Sequence, residues 1–88
     1  MQTKPQIKPL SERQREVAIL VATGYTDAEI AETLYISRRR VGEAIYFIKE
    51  KWNIHSRVQI GVFAYHFGLL KWSEEKNSYV PEGVVQIG

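Results

Sequence analysis

The stretch TDAEIAETLYISRRRVGEAIYFIKEKW, residues 26–52, decides the fold. Thr26 and Glu29 have the spacing of a capping box, which predicts the start of a short helix. After the tight connection Tyr35–Ile36, Ser37 stands where it can cap a second and longer helix. A short helix, a tight connection and a longer helix together predict a helix-turn-helix.

The longer helix has a buried stripe and a strongly basic first turn. Three consecutive cations, Arg38, Arg39 and Arg40, oppose the helix dipole there, and each costs roughly 0.3–1 kcal/mol. An anion docked at that end would use the exposed amides, the dipole and the guanidinium groups together. The alternative is a solvated charged turn in which Glu43 relieves some of the repulsion. The predicted buried stripe is Val41, Ile45, Ile48 and Trp52.

Another helix precedes this unit. Ser11 and Gln14 form a capping box, and Gly24 ends the helix because a residue without a side chain adopts the left-handed conformation most easily. The apolar series of this first helix is Val17, Leu20 and Val21.

A fourth helix follows, opened by Ser56 with Gln59 and ended by Gly68. It is apolar almost all round, which a surface helix of a small domain does not need. One face is expected to complete the core: Ile60, Phe63, Ala64 and Phe67. The other is expected to be exposed and to form a two-fold dimer interface: Val58, Gly61, Val62 and Tyr65. The alternative is that the tail folds back over this second face.

The predicted fold class is therefore all-α, a four-helix bundle over residues 10–70. Residues 1–9 are expected to form a flexible arm. The tail, residues 71–88, has no clear periodicity and is expected to be disordered, to pack on the bundle, or to pair as a strand through its short apolar run near Val84 and Ile87.

Charge and composition exclude several function classes. Residues 38–57 hold six basic residues against two acids, whereas residues 11–37 hold two against five, so positive charge is concentrated where a polyanion would bind. The chain has no cysteine, and its two histidines are too far apart for the usual metal-ligand patterns. Neither a phosphate loop nor a nucleophile–base arrangement is visible, so we expect no enzyme activity, metal, cofactor or small-molecule ligand.

No signal peptide or membrane span is apparent, and a cytoplasmic location at the nucleoid is expected.

The run from Leu10 to Leu70 resembles the LuxR/GerE-type helix-turn-helix domain of bacterial transcription factors. The matching features are the opening LSERQREV, the break at Gly24, the segment AEIAETLYIS, the core position Val41, Arg57 and the closing GLL. The resemblance implies double-stranded DNA binding through the third helix and dimerisation through the fourth.

This sequence departs from the family pattern after the IS pair. The family usually has threonine, valine and lysine there and a histidine two further on, whereas this chain has Arg40, Val41, Gly42 and Ala44. Base reading is therefore expected to fall to Arg39, Glu43 and Tyr46. For Glu43 the alternative is pairing with a neighbouring arginine, and for Tyr46 it is burial against the fourth helix. The phosphate contacts are expected from Ser37, Arg38, Arg40, Lys49, Lys51 and Arg57.

The sequence thus predicts a dimeric transcriptional regulator, either standalone or an excised domain, that docks helix 37–52 in the major groove. One alternative is the promoter-reading region of a sigma-like factor, which the well-formed fourth helix disfavours. The other is an interaction protein that keeps the fold and captures another regulator instead of DNA.

Overall fold

The computed structural model describes residues 9–82, which form four helices followed by a two-stranded antiparallel sheet. The helices are α1 (Glu12–Ala22), α2 (Asp27–Leu34), α3 (Arg38–Trp52) and α4 (Arg57–His66); the strands are β1 (Leu70–Ser73) and β2 (Ser78–Pro81). The helical part of the prediction is confirmed. No helix within residues 9–82 is long and apolar enough to cross a membrane.

The helix starts lie where the sequence predicts them because each is fixed by residues three apart. The Ser11 hydroxyl accepts from the Gln14 amide at 3.1 Å, and the Ser11 amide donates to the Gln14 carboxamide at 3.0 Å. The same reciprocal capping box opens α2 at Thr26 and α4 at Ser56. These caps satisfy amides that have no partner within the helix.

The core is built around α1, which packs against each of the other three helices. Its residues 17–21 are all buried, more than the predicted series, because neighbours enclose α1 on several sides. The predicted stripe of α3 is confirmed, and Ala44 is buried with it. The side chains without solvent contact that fill the centre are Val17, Ile19, Ile30, Val41, Ile48 and Ile60.

The chain after α4 corrects the all-α prediction. Leu70–Ser73 and Ser78–Pro81 pair in register, with Trp72 directly opposite Tyr79 and their rings 5.0 Å apart edge to face. The turn closes with Asn77 in the left-handed region (φ 52°), which asparagine tolerates better than most residues. Cross-strand aromatic pairs stabilise such short hairpins. The strand suggested near Val84 and Ile87, and the arm as far as Lys8, lie outside the described residues.

Candidate nucleic-acid interface

The basic first turn of α3 is fully presented to solvent. Ser37 caps the helix, its hydroxyl accepting from the Arg40 amide at 3.1 Å. Arg38, Arg39 and Arg40 are all exposed, and no acidic residue lies in that turn. The three arginines therefore lie at the surface together, at the N-terminal end of one helix.

The face of α3 opposite the buried stripe is also open. Gly42, Glu43 and Tyr46 follow Arg39 along this face, and all four are exposed. Tyr46 keeps 57% of its surface exposed and lies edge to face with Phe47, which rules out its burial against α4. Glu43 lies 3.6 Å from Arg39, so the alternative of a side-chain pair within the helix is present in the structure. Both of its members are largely exposed, and such pairs contribute little stability.

Two of the cations expected at phosphates are engaged inside the domain. Lys51 donates to the Gln14 carboxamide at 2.8 Å and to the Pro9 carbonyl at 3.2 Å, which ties the end of α3 to the start of α1. Arg57 lies 2.6 Å from the Asp27 carboxylate and donates to the Tyr25 carbonyl at 2.7 Å. That contact joins the start of α4 to the start of α2.

Lys49, the third of these cations, has no such contact. Within residues 9–82 it has no ion pair and no side-chain hydrogen bond, and it is half-buried near the end of α3. It therefore stays available to a phosphate, whereas Lys51 and Arg57 would have to leave or share an existing partner.

The sequence pattern does not single out Tyr35, an exposed aromatic residue next to the start of α3. This residue ends α2 in the left-handed region (φ 58°) and leaves 90% of its surface exposed, two positions before the cap of α3. A tyrosine gains nothing from that backbone conformation, which costs roughly 1–2 kcal/mol in a residue with a side chain. Its place in the two-residue connection was the signal that could have drawn attention to it.

The predicted dimer face of α4 is open along three of its four residues. Val58 is 76% exposed, and Val62 and Tyr65 are each 59% exposed. Gly61 instead lies against α1, and a methyl group added there would come within 3.7 Å of the Ala22 backbone. On the opposite face Ile60 and Ala64 are fully buried, as predicted, and Phe63 is partly buried; Phe67 keeps 39% of its surface exposed.

The hairpin leaves most of the α4 face uncovered. Tyr79 approaches Tyr65 edge to face, with ring centroids 5.6 Å apart, but Val58 and Val62 remain open. Residues 71–82 therefore border this face and do not fold over it. In the described part of the chain, no three histidine or acidic side chains come together in a way that could hold a metal ion.

Comparison with known proteins agrees with this architecture. The family model for bacterial regulatory proteins of the luxR family matches residues 8–64. The chain is similar to the response regulator protein VraR of Staphylococcus aureus, Staphylococcus saprophyticus and Staphylococcus epidermidis, with 31% identity over 62 residues in each case. The match covers 70% of this chain but 30% of each relative, so the chain spans less than a third of their length. Because the family model covers well over half of the chain, the protein belongs to the luxR family of bacterial regulatory proteins.

Proposed function

We propose that this protein is a DNA-binding transcriptional regulator that inserts α3 into the major groove and acts as a homodimer through α4. The observation that carries the proposal is the outward face of α3. Its basic first turn leads directly into an open row of side chains, and nothing in residues 9–82 covers either. Family membership and the similarity to response regulators support the same function.

The division of labour follows from the geometry of α3. Ser37 and Arg38–Arg40 lie at the helix end that approaches the phosphate backbone, where cations and helix amides act together. Arg39, Glu43 and Tyr46 lie along the face that would meet base edges, where arginine reads guanine and a carboxylate accepts from cytosine. Lys49 extends the phosphate contacts toward the other end of the helix.

Dimerisation would match the symmetry of the protein to that of its site. Two copies related by a two-fold axis present two copies of α3 about one DNA turn apart, roughly 34 Å. The exposed residues Val58, Val62 and Tyr65 of α4 supply an apolar surface for that contact.

The test is a titration of a labelled duplex of random sequence, followed by fluorescence anisotropy, with the double variant R39A/R40A. The variant should lose most of its DNA affinity and yet unfold at a higher temperature, because two cations that oppose the helix dipole are gone. Lys76→Ala, at the tip of the hairpin, is the control and should bind normally. If the wild-type protein bound no duplex at any salt concentration, the interaction-protein alternative would replace this proposal.

A further inference from the structure

A groove of about 580 Å³ runs between the C-terminal half of α4 and the hairpin. Its wall is one continuous set of aromatic rings, since Tyr79 meets Tyr65 at 5.6 Å on one side and Trp72 at 5.0 Å on the other. Trp72 is 48% exposed and Tyr79 is 46% exposed. The hairpin, which forms one side of the groove, lies beyond residues 8–64, so the family match does not account for that side.

An apolar ridge on α4 runs into the groove, since two of its three side chains, Val62 and Tyr65, also line the groove. Val58, Val62 and Tyr65 are spaced four and three residues apart, which places them in one row along α4. Val58 is the most exposed of the three, at 76%. It lies at the N-terminal end of the row, about 10 Å along the helix axis from Tyr65 at the groove end.

We propose that Val58 of a second copy occupies this groove, in a two-fold pairing with the two α4 helices antiparallel. The inference rests on the α4 dimer of the proposed function and adds the hairpin to its interface. A two-fold interface uses the same patch on both copies, so the ridge of each copy must contact the groove of the other. Antiparallel helices place each ridge in the other groove, whereas parallel helices would oppose ridge to ridge and groove to groove.

The exposed apolar area decides whether the hairpin is needed. Tyr65, Trp72 and Tyr79 are each about half exposed, which corresponds to roughly 100 Å² of ring surface apiece. With roughly 50 Å² from each valine, a copy contributes about 400 Å² of apolar surface. Two copies would bury about 800 Å² of apolar surface. If about 65% of the interface is apolar, the whole interface covers about 1,200 Å², which is the lower end of the range for specific association. Without the hairpin the area falls by half, to the size of a crystal contact.

The charges at the two ends do not oppose this pairing. Arg57, next to the ridge, is already bound to Asp27 at 2.6 Å. Lys71, which lines the groove, lies 3.9 Å from the Glu82 carboxylate. Each cation brings its own counter-charge, so the ridge and the groove meet without a net positive charge at the contact.

Disulfide crosslinking can test the arrangement directly, because the chain has no cysteine of its own. The single variants are V58C at the outer end of the ridge, K71C in the groove and V62C where the ridge meets the groove. Mixed and oxidised together, V58C and K71C should form a heterodimer of the combined mass, while each alone should crosslink poorly. V62C, near the two-fold axis, should crosslink with itself.

The outcomes separate this inference from the dimer on which it rests. If V62C crosslinks but the mixture of V58C and K71C does not, or if V58C crosslinks strongly with itself, the α4 dimer stands and the antiparallel docking is overturned. If V62C does not crosslink either, both fail.

Sedimentation of two further variants gives an independent readout. Trp72→Ser should weaken the dimer by about tenfold or more, since it removes one wall of each groove, whereas Lys76→Ala should leave the dimer unchanged. A chain that ends at Glu82 should dimerise as the full chain does. Loss of the dimer on truncation would show that residues 83–88, and not Val58, supply the segment that docks in the partner's groove, and would overturn the proposal.

Discussion

The salt dependence of DNA binding should report how many cations of this domain meet phosphates. Charge alone offers six cations between residues 38 and 57. The structure divides them, because Lys51 and Arg57 already have partners in neighbouring helices. Arg38, Arg40 and Lys49 remain for the phosphate backbone, and Arg39 lies on the face assigned to base edges.

The count of phosphate contacts from charge alone and the count from the structure predict different slopes of log K against log salt concentration. Each phosphate contact contributes about −0.9 to the dependence of log K on log salt concentration, so three contacts per copy give about −5 for a dimer. Six contacts per copy would give about −11. Between 50 and 200 mM salt, the smaller slope means a loss of roughly 10³-fold in affinity, and the larger a loss of more than 10⁶-fold.

Two matched arginine variants assign the difference to residues. Arg40→Ala should reduce the magnitude of the dimer slope by about 2 in an anisotropy titration over that salt range. Arg57→Ala should leave the slope near its wild-type value and should lower the free energy of unfolding by about 1 kcal/mol, because the Asp27 pair it breaks is partly exposed. Equal reductions of the slope by the two variants would refute this division of the cations.

Three further predictions concern single positions. Gly42→Ala should raise the free energy of unfolding by about 1 kcal/mol, or the melting temperature by about 5 °C, because the position is an open helix interior; no change in thermal denaturation would contradict it. Ser56→Ala should cost about 1 kcal/mol in urea unfolding, because it removes the capping box of α4, whereas Ser78→Ala serves as a control away from any cap. Glu43→Gln should shift the preferred base from cytosine toward adenine in selection from random duplexes; an unchanged preference would mean that Glu43 serves only Arg39.

The helices could be predicted from the sequence because their signals are local. Ser11 with Gln14, and Ser56 with Gln59, act across three residues, and the buried stripe of α3 is set by a repeat within one helix. The hairpin depends on contacts that no local pattern contains. Tyr79 meets Tyr65 from a different element, and the Glu82 amide donates to the Leu69 carbonyl at 2.8 Å.

In the candidate site, too, the features set by local patterns could be predicted from the sequence, and those set by contacts between distant residues could not. The outward position of Arg39, Glu43 and Tyr46 follows from the buried stripe, since residues on the opposite side of the same helix must face solvent. The partners of Lys51 and Arg57 lie 37 and 30 residues away along the chain, so helical periodicity carries no information about them. The position of Gly61 against α1 could not be predicted either, because it depends on the approach of Ala22 from another helix.

Gly42 links the stability of α3 to its target. A glycine inside a helix costs about 1 kcal/mol relative to alanine, and a tightly packed neighbour normally explains why it is there. In this domain nothing lies within 4 Å of the place where a methyl group would be, so packing within residues 9–82 does not require glycine. The position lies between Arg39 and Tyr46 on the face that would meet DNA, where the lack of a side chain lets a groove wall or base edge approach the helix backbone. On that argument Gly42→Ala should stabilise the free protein and weaken its specific complex, and stabilisation with unchanged affinity would remove the functional reason for the glycine.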